Sequence, residues 1–225
     1  MIRLLQRHPS LPYVAPFAAF MVLLAVAPRL ALEPRVEGIL RVSLLVAVLW
    51  VFSRHVIEWR APHWLSSILL GVGVFVLWIA PDVVFPTWRG HWLFDNGLTG
   101  RAEGTMPMEG RSDPLVLALR AARAVVLVPI IEELFWRGWL PRWLANMDDF
   151  RKVPLGSYTG VIFWITAALF ALEHGSMWDV GLMAGLAYNW WMRRTRSLGD
   201  LMLTHAVTNA CLSAYVLIEG RWEYW

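Results

Sequence analysis

From Trp64 to Ala80 the chain carries no charged side chain, and tryptophans stand near both ends of the run. A helix needs about 20 mostly apolar residues to cross a bilayer, with a range of about 17–25. Apolar stretches bounded by charge, Pro or Gly recur along the whole sequence, at roughly 13–27, 39–52, 64–80, 115–140, 158–173, 177–192 and 198–218. The expectation is an all-α fold, a polytopic transmembrane helical bundle of about seven (six to eight) spanning helices. Composition agrees. Apolar residues make up 58% and charged residues 16% of the 225, against about 45–50% and 25% in soluble domains. A mean hydropathy of +0.50 leaves too little polar surface for a soluble domain and excludes a disordered chain.

Residues 1–225 read as a single integral membrane domain, with N-terminal helices over 1–80, a long polar loop over 81–113 and a second group of helices over 114–219. The loop is rich in Gly, Pro, Asp and Trp and has no apolar period, so it is expected to rest on the membrane surface or to cap the helices. Met1–Ser10 is basic, but Pro28-Arg29 follows the first apolar run where a small-residue cleavage site would be needed, so no signal peptide is expected. Arg193-Arg194-Thr195-Arg196 is the densest basic cluster and marks the cytoplasmic side, with the N-terminus on that side too.

The net charge of +3 is spread through the chain instead of forming one stripe, so no nucleic-acid partner is expected; the bilayer is. Lys152 is the only lysine among 20 basic residues, a bias that fits a GC-rich bacterial genome and hence a multi-pass protein of the inner membrane. The lone Cys211 excludes an internal disulfide and a metal site made of cysteines alone. No internal repeat supports an inverted-repeat transporter. The oligomeric state is not legible.

Ionisable groups at lipid depth cost about 2.5–3.5 kcal/mol each on insertion scales and are functional candidates by default. Three sets occur. In VPIIEELFWRGWL, Glu133 and Arg137 are four apart and can pair on one helix face, whereas Glu132 points about 100° away and is free to face the bundle interior. Pro129, just before them, should kink the helix or free a carbonyl. His174 ends FALEH one helical turn after Phe170, and Glu173 is expected at the interface. His205 and Asn209 share a face of the last span. Each set alone has an ordinary structural explanation: an ion-pair network, a helix cap, interhelical packing glue. Together they supply one unpaired carboxylate, two imidazoles and a carboxamide. A carboxylate with a histidine can position and deprotonate a water, and an imidazole with a carboxamide can stabilise an oxyanion. That is the equipment of amide hydrolysis without a cofactor. Glu132, His174 and His205 could instead hold a zinc ion, although no H-E-x-x-H helix is present and Asn209 suits an oxyanion better than a metal. Cys211 and Ser213 have no evident base.

Glu132-Glu133-x-x-x-Arg137, Phe170-x-x-x-His174 and His205-x-x-x-Asn209, in that order on three apolar regions, resemble the CPBP family of intramembrane proteases, which includes the CAAX prenyl endopeptidases. The resemblance spans about Leu115 to Ile218. It implies a multi-pass helical peptidase in which Glu132 and His174 activate water and His205 and Asn209 stabilise the oxyanion, with Glu133, Arg137 and Phe170 in support. The implied partner is a membrane protein or peptide substrate. The short, arginine-rich chain is similar to a bacterial branch found near exosortase-type sorting systems, which implies cleavage at the C-terminal region of sorted or lipid-modified proteins. The rival class is a membrane transporter or a binding or immunity factor that uses the same polar groups without cleaving anything.

Overall fold

The computed structural model describes residues 7–225, so the first part of the basic Met1–Ser10 start lies outside the described residues. Those residues form seven main helices: α1 (Leu11–Leu30), α2 (Pro34–Ser53), α3 (Trp64–Val84), α4 (Pro114–Ala145), α5 (Gly160–Glu173), α6 (Trp178–Thr195) and α7 (Leu198–Glu219). Among the described residues there is no strand, only one isolated bridge between Asn96 and Gly100. The fold is all-α, as the apolar periodicity requires.

Local chemistry sets the helix ends. Prolines open α1, α2 and α4, where a missing N–H costs nothing. Asp113 caps α4 through the Leu115 N–H at 3.0 Å, Thr159 caps α5 through Ile162 at 3.3 Å, and Ser197 caps α7 through Asp200 at 3.1 Å. Arg35, at the start of α2, is bonded to Asp113 at 2.5 Å and holds that carboxyl below the usual carboxylate range. α7 ends on Gly220 in the left-handed region.

Four helices, α2, α3, α4 and α7, are long and apolar enough to cross a membrane; α1 and α5 are shorter apolar helices. Large apolar side chains such as Leu69, Val76, Leu172, Trp190 and Ile218 point outward, as a lipid-facing surface demands. α6 turns one face outward, with Met183 and Trp190 exposed, and the other into the bundle. Its Gly185, Tyr188, Asn189 and Met192 are buried, and Tyr188 and Met192 join the core with Leu45, Ile131, Leu134 and Leu201.

α4 differs most from the expectation. It does not end near Leu140 but continues through Pro141 to Ala145, and two wide π turns, at Arg123–Leu127 and Leu134–Trp139, interrupt it. Such turns re-aim the side chains that follow them and are often found at functional sites. Pro129 sits just after the first. There the Val128 N–H bonds back to the Arg123 carbonyl, and Pro129 has no N–H to offer the next carbonyl, that of Ala124.

α3 and α7 pack in close contact through Gly71. A Cβ there would stand 2.5 Å from the Thr204 carbonyl and 2.8 Å from Val207, and the Thr208 hydroxyl donates to the Gly71 carbonyl at 3.0 Å. Gly71→Ala is therefore expected to force the two helices apart and cost about 1–3 kcal/mol. Gly73→Ala, whose Cβ would meet nothing within 4 Å, should be neutral. Thermal unfolding of the two purified variants in detergent checks the contrast.

The loop after α3 is well tied down. Arg89 bonds Asp82 at 2.9 Å, Asp179 at 2.5 Å and the Ser176 carbonyl at 3.0 Å. Trp178 donates to the Leu93 carbonyl at 3.0 Å. These bonds pin the loop over the turn between α5 and α6, where His174 lies.

Candidate active site

Glu132, His174, His205 and Asn209 all line one cavity of about 170 Å³, enclosed by α3, α4, α5, α6 and α7. The first π turn of α4 and Pro129 precede the glutamate pair and set its rotation. Glu133 is fully buried, and its Oε1 accepts from Arg137 Nη1 at 3.1 Å, the i,i+4 pair expected from spacing. The same oxygen accepts from His205 Nδ1 at 2.8 Å. Glu132, one residue earlier, turns to the cavity wall and is 5% exposed, and its Oε2 has no hydrogen-bond partner. Burying a carboxylate without a partner is costly, so the Glu132 side chain contributes little to holding the bundle together.

Arg137 is itself almost fully buried. Besides Glu133, it donates through Nε to Asn189 Oδ1 at 3.1 Å and through Nη2 to the Gly185 carbonyl at 3.5 Å. Its guanidinium lies 4.3 Å from the Phe170 ring centroid and 5.3 Å from that of Tyr188. Asn189 is anchored in turn by the Phe163 carbonyl and Thr166, both at 2.9 Å. One cation thus joins α4, α5 and α6.

His174 follows the last residue of α5, and its Nδ1 is 2.7 Å from the Phe170 carbonyl. That acceptor puts the proton on Nδ1, which leaves Nε2 as an acceptor in the neutral ring. The rings of Phe170 (4.6 Å) and Trp78 (5.2 Å) hold the imidazole from two sides. Asn209 donates to the Ala124 carbonyl at 2.8 Å, the group that Pro129 leaves unpaired. Its second N–H remains. Glu173, the last residue of α5, accepts from Trp136 at 2.9 Å and so ties α5 to α4. Cys211 is not in the cavity wall, whereas Ser213 is, with a buried hydroxyl that no base reaches.

Sequence reasoning missed several wall residues. Tyr188 stands 5.2 Å from the His205 ring and donates to Thr208 at 2.9 Å, and nothing in its helix spacing marks it. Tyr224 and Trp225 also line the cavity. The segment that carries them crosses the loop side of the bundle: Tyr224 donates to Asp82 at 2.6 Å, the Thr105 N–H donates to the Trp225 carbonyl at 2.9 Å, and Arg111 lies over Trp222. No periodicity marks a strap of this kind. Among the described residues no group of three or more His, Cys, Asp and Glu side chains is placed to hold a metal ion.

A bundle with an apolar outer face and a cavity lined by a carboxylate, two imidazoles and a carboxamide is that of a multi-pass membrane protein. Residues 114–211 match the family model described as type II CAAX prenyl endopeptidase, Rce1-like. All three motifs lie within the matched residues, and this part of the chain is similar to the CAAX prenyl endopeptidases of the CPBP family. No curated protein and no solved structure matches the chain.

Proposed function

We propose that this protein is an intramembrane endopeptidase of glutamic type, which hydrolyses a peptide bond of a membrane-associated protein or peptide near the membrane surface. The observation that carries the reading is the convergence of an unpartnered Glu132, His174 Nε2, His205 and Asn209 on one cavity. Glu132 takes a proton from a water that also donates to His174 Nε2, and the water oxygen attacks the scissile carbonyl carbon. The charge that develops on the carbonyl oxygen is met by the free N–H of Asn209 and by the imidazole of His205, which the Glu133 carboxylate holds through Nδ1. Glu132 then returns the proton to the departing amine as the C–N bond breaks. The loop over 81–113 and the Tyr224–Trp225 strap cover the cavity and admit the substrate.

The family match supports a substrate presented by a prenylated C-terminal region, and the arginine bias supports a bacterial inner membrane. The test is to reconstitute the protein in liposomes with membrane-anchored peptides, with and without a prenylated cysteine, and to read new C-termini by mass spectrometry. Cleavage at one bond is expected, unchanged by chelators. Proton-coupled uptake or ligand binding without any peptide product would overturn the protease reading, and loss of cleavage on chelation with recovery on zinc would assign Glu132, His174 and His205 to a metal instead.

A further inference from the structure

A second, larger cavity of about 330 Å³ lies between α1, α2 and the first turns of α4, with Thr105, Met106 and Pro107 of the loop on its edge. Leu24, Ala27, Val116 and Leu119 make its walls apolar, yet three arginines, Arg41, Arg120 and Arg123, line it with one carboxylate, Glu37. Glu37 is already paired with Arg41. Arg120 has one hydrogen-bond partner among the described residues, the Thr105 hydroxyl at 2.6 Å. Arg41 Nε is buried with no acceptor, and around Arg123 the charged groups are the like charges of Arg120 and Arg41 and the already paired Glu37. Three cations against one anion in an apolar cavity repel one another, and nothing else among the cavity's lining residues offsets them. The arrangement asks for an anion.

The position of the cavity selects the kind. Ala31, Leu32 and Pro34, from the turn between α1 and α2, are among its lining residues, so it sits at the end of the bundle, at the depth of the membrane surface. Leu30, Val36 and Leu40 beside it are exposed apolar side chains that face lipid. A free phosphate would satisfy the guanidiniums and leave the apolar walls bare; a phosphate that carries acyl chains satisfies both. We infer that Arg41, Arg120 and Arg123 hold the phosphate of an anionic phospholipid whose acyl chains run along the outer faces of α1 and α2. The inference is independent of the peptidase reading. It has one consequence for the other cavity: the Arg120 guanidinium lies 5.6 Å from the Trp225 ring centroid, so a bound phospholipid bears on the strap that covers Glu132.

Native mass spectrometry of the full chain, with phosphatidylglycerol or phosphatidylcholine of matched acyl chains added, reads the site directly. Retention of phosphatidylglycerol at least about tenfold above phosphatidylcholine is expected, since a single good charge pairing is worth that much. Arg123→Gln, which removes a guanidinium that makes no hydrogen bond among the described residues, should lose most of this preference without harming the fold, and Arg123→Lys should keep part of it. The double variant Arg120→Gln/Arg123→Gln should lose all of it. Equal retention of the two lipids, or an unchanged preference in the glutamine variants, would overturn the inference. So would displacement of the lipid by inorganic phosphate alone, which assigns the site to a soluble anion, or by a peptide with a free C-terminal carboxylate but not by its amide, which assigns it to substrate.

Discussion

Replacing Glu132 by Gln is expected to reduce cleavage by about 10²–10⁴-fold, the usual contribution of a general base, while leaving the protein as stable as before or more so. The two halves of this result have one cause. Glu132 is buried, and its Oε2 has no partner, so its carboxylate contributes desolvation cost and no compensating bond. A carboxamide of the same shape removes the charge and the base together. Residues that lower stability and persist in the fold are the mark of a functional site. Cleavage of a membrane-anchored peptide by the purified variant, with thermal unfolding measured on the same sample, checks both halves. Turnover at the native rate would remove Glu132 from the chemistry, and a large drop in unfolding temperature would give it a structural role instead.

Arg137→Met should show the opposite pattern. Its side chain joins Glu133, Asn189 and Gly185 in a fully buried network, and removing one partner of a buried ion pair leaves the other charge uncompensated, at a cost of about 3–5 kcal/mol. Glu133 would keep only His205 as a donor. The expected result is a marked loss of folded protein from the membrane and a lower unfolding temperature, with activity lost because the helices separate. Arg137→Lys should rescue little, since a single ammonium cannot reach three acceptors on two helices with the geometry of the guanidinium fork. Yield of monodisperse protein after detergent extraction gives the readout. Native yield from Arg137→Met would mean that the network is dispensable.

Much of this was legible in the sequence, for reasons that differ from residue to residue. The Glu133 and Arg137 pair follows from i,i+4 spacing, and the second π turn, although it widens the helix there, leaves the two side chains within 3.1 Å. That pairing is also what assigns Glu132 to the interior. Pro129 announces a freed carbonyl because a missing N–H is a local fact. What fills the gap was not legible: Asn209 is 85 positions from Ala124, and only the packing of α7 on α4 brings them together. In the same way His205, four residues from Asn209 on one face, gives no hint that its Nδ1 binds Glu133 while Asn209 binds α4 backbone. Glu173 ends a span, which is a local fact, but that it accepts from Trp136 on a neighbouring helix is not.

Helix formation and the cost of burying charge act over one or two turns of chain, so the local pattern carries the seven helices and singles out the few polar groups that lipid should not tolerate. Orientation across helices depends on close contacts between distant segments, such as Gly71 against Thr204, and on π turns that shift every later side chain by part of a turn. Those contacts, which no local pattern encodes, put four polar residues in one cavity, laid the Tyr224–Trp225 strap across it, and gathered three arginines around a second. The chain itself carries the list of costly residues; their partners exist only once the helices are packed.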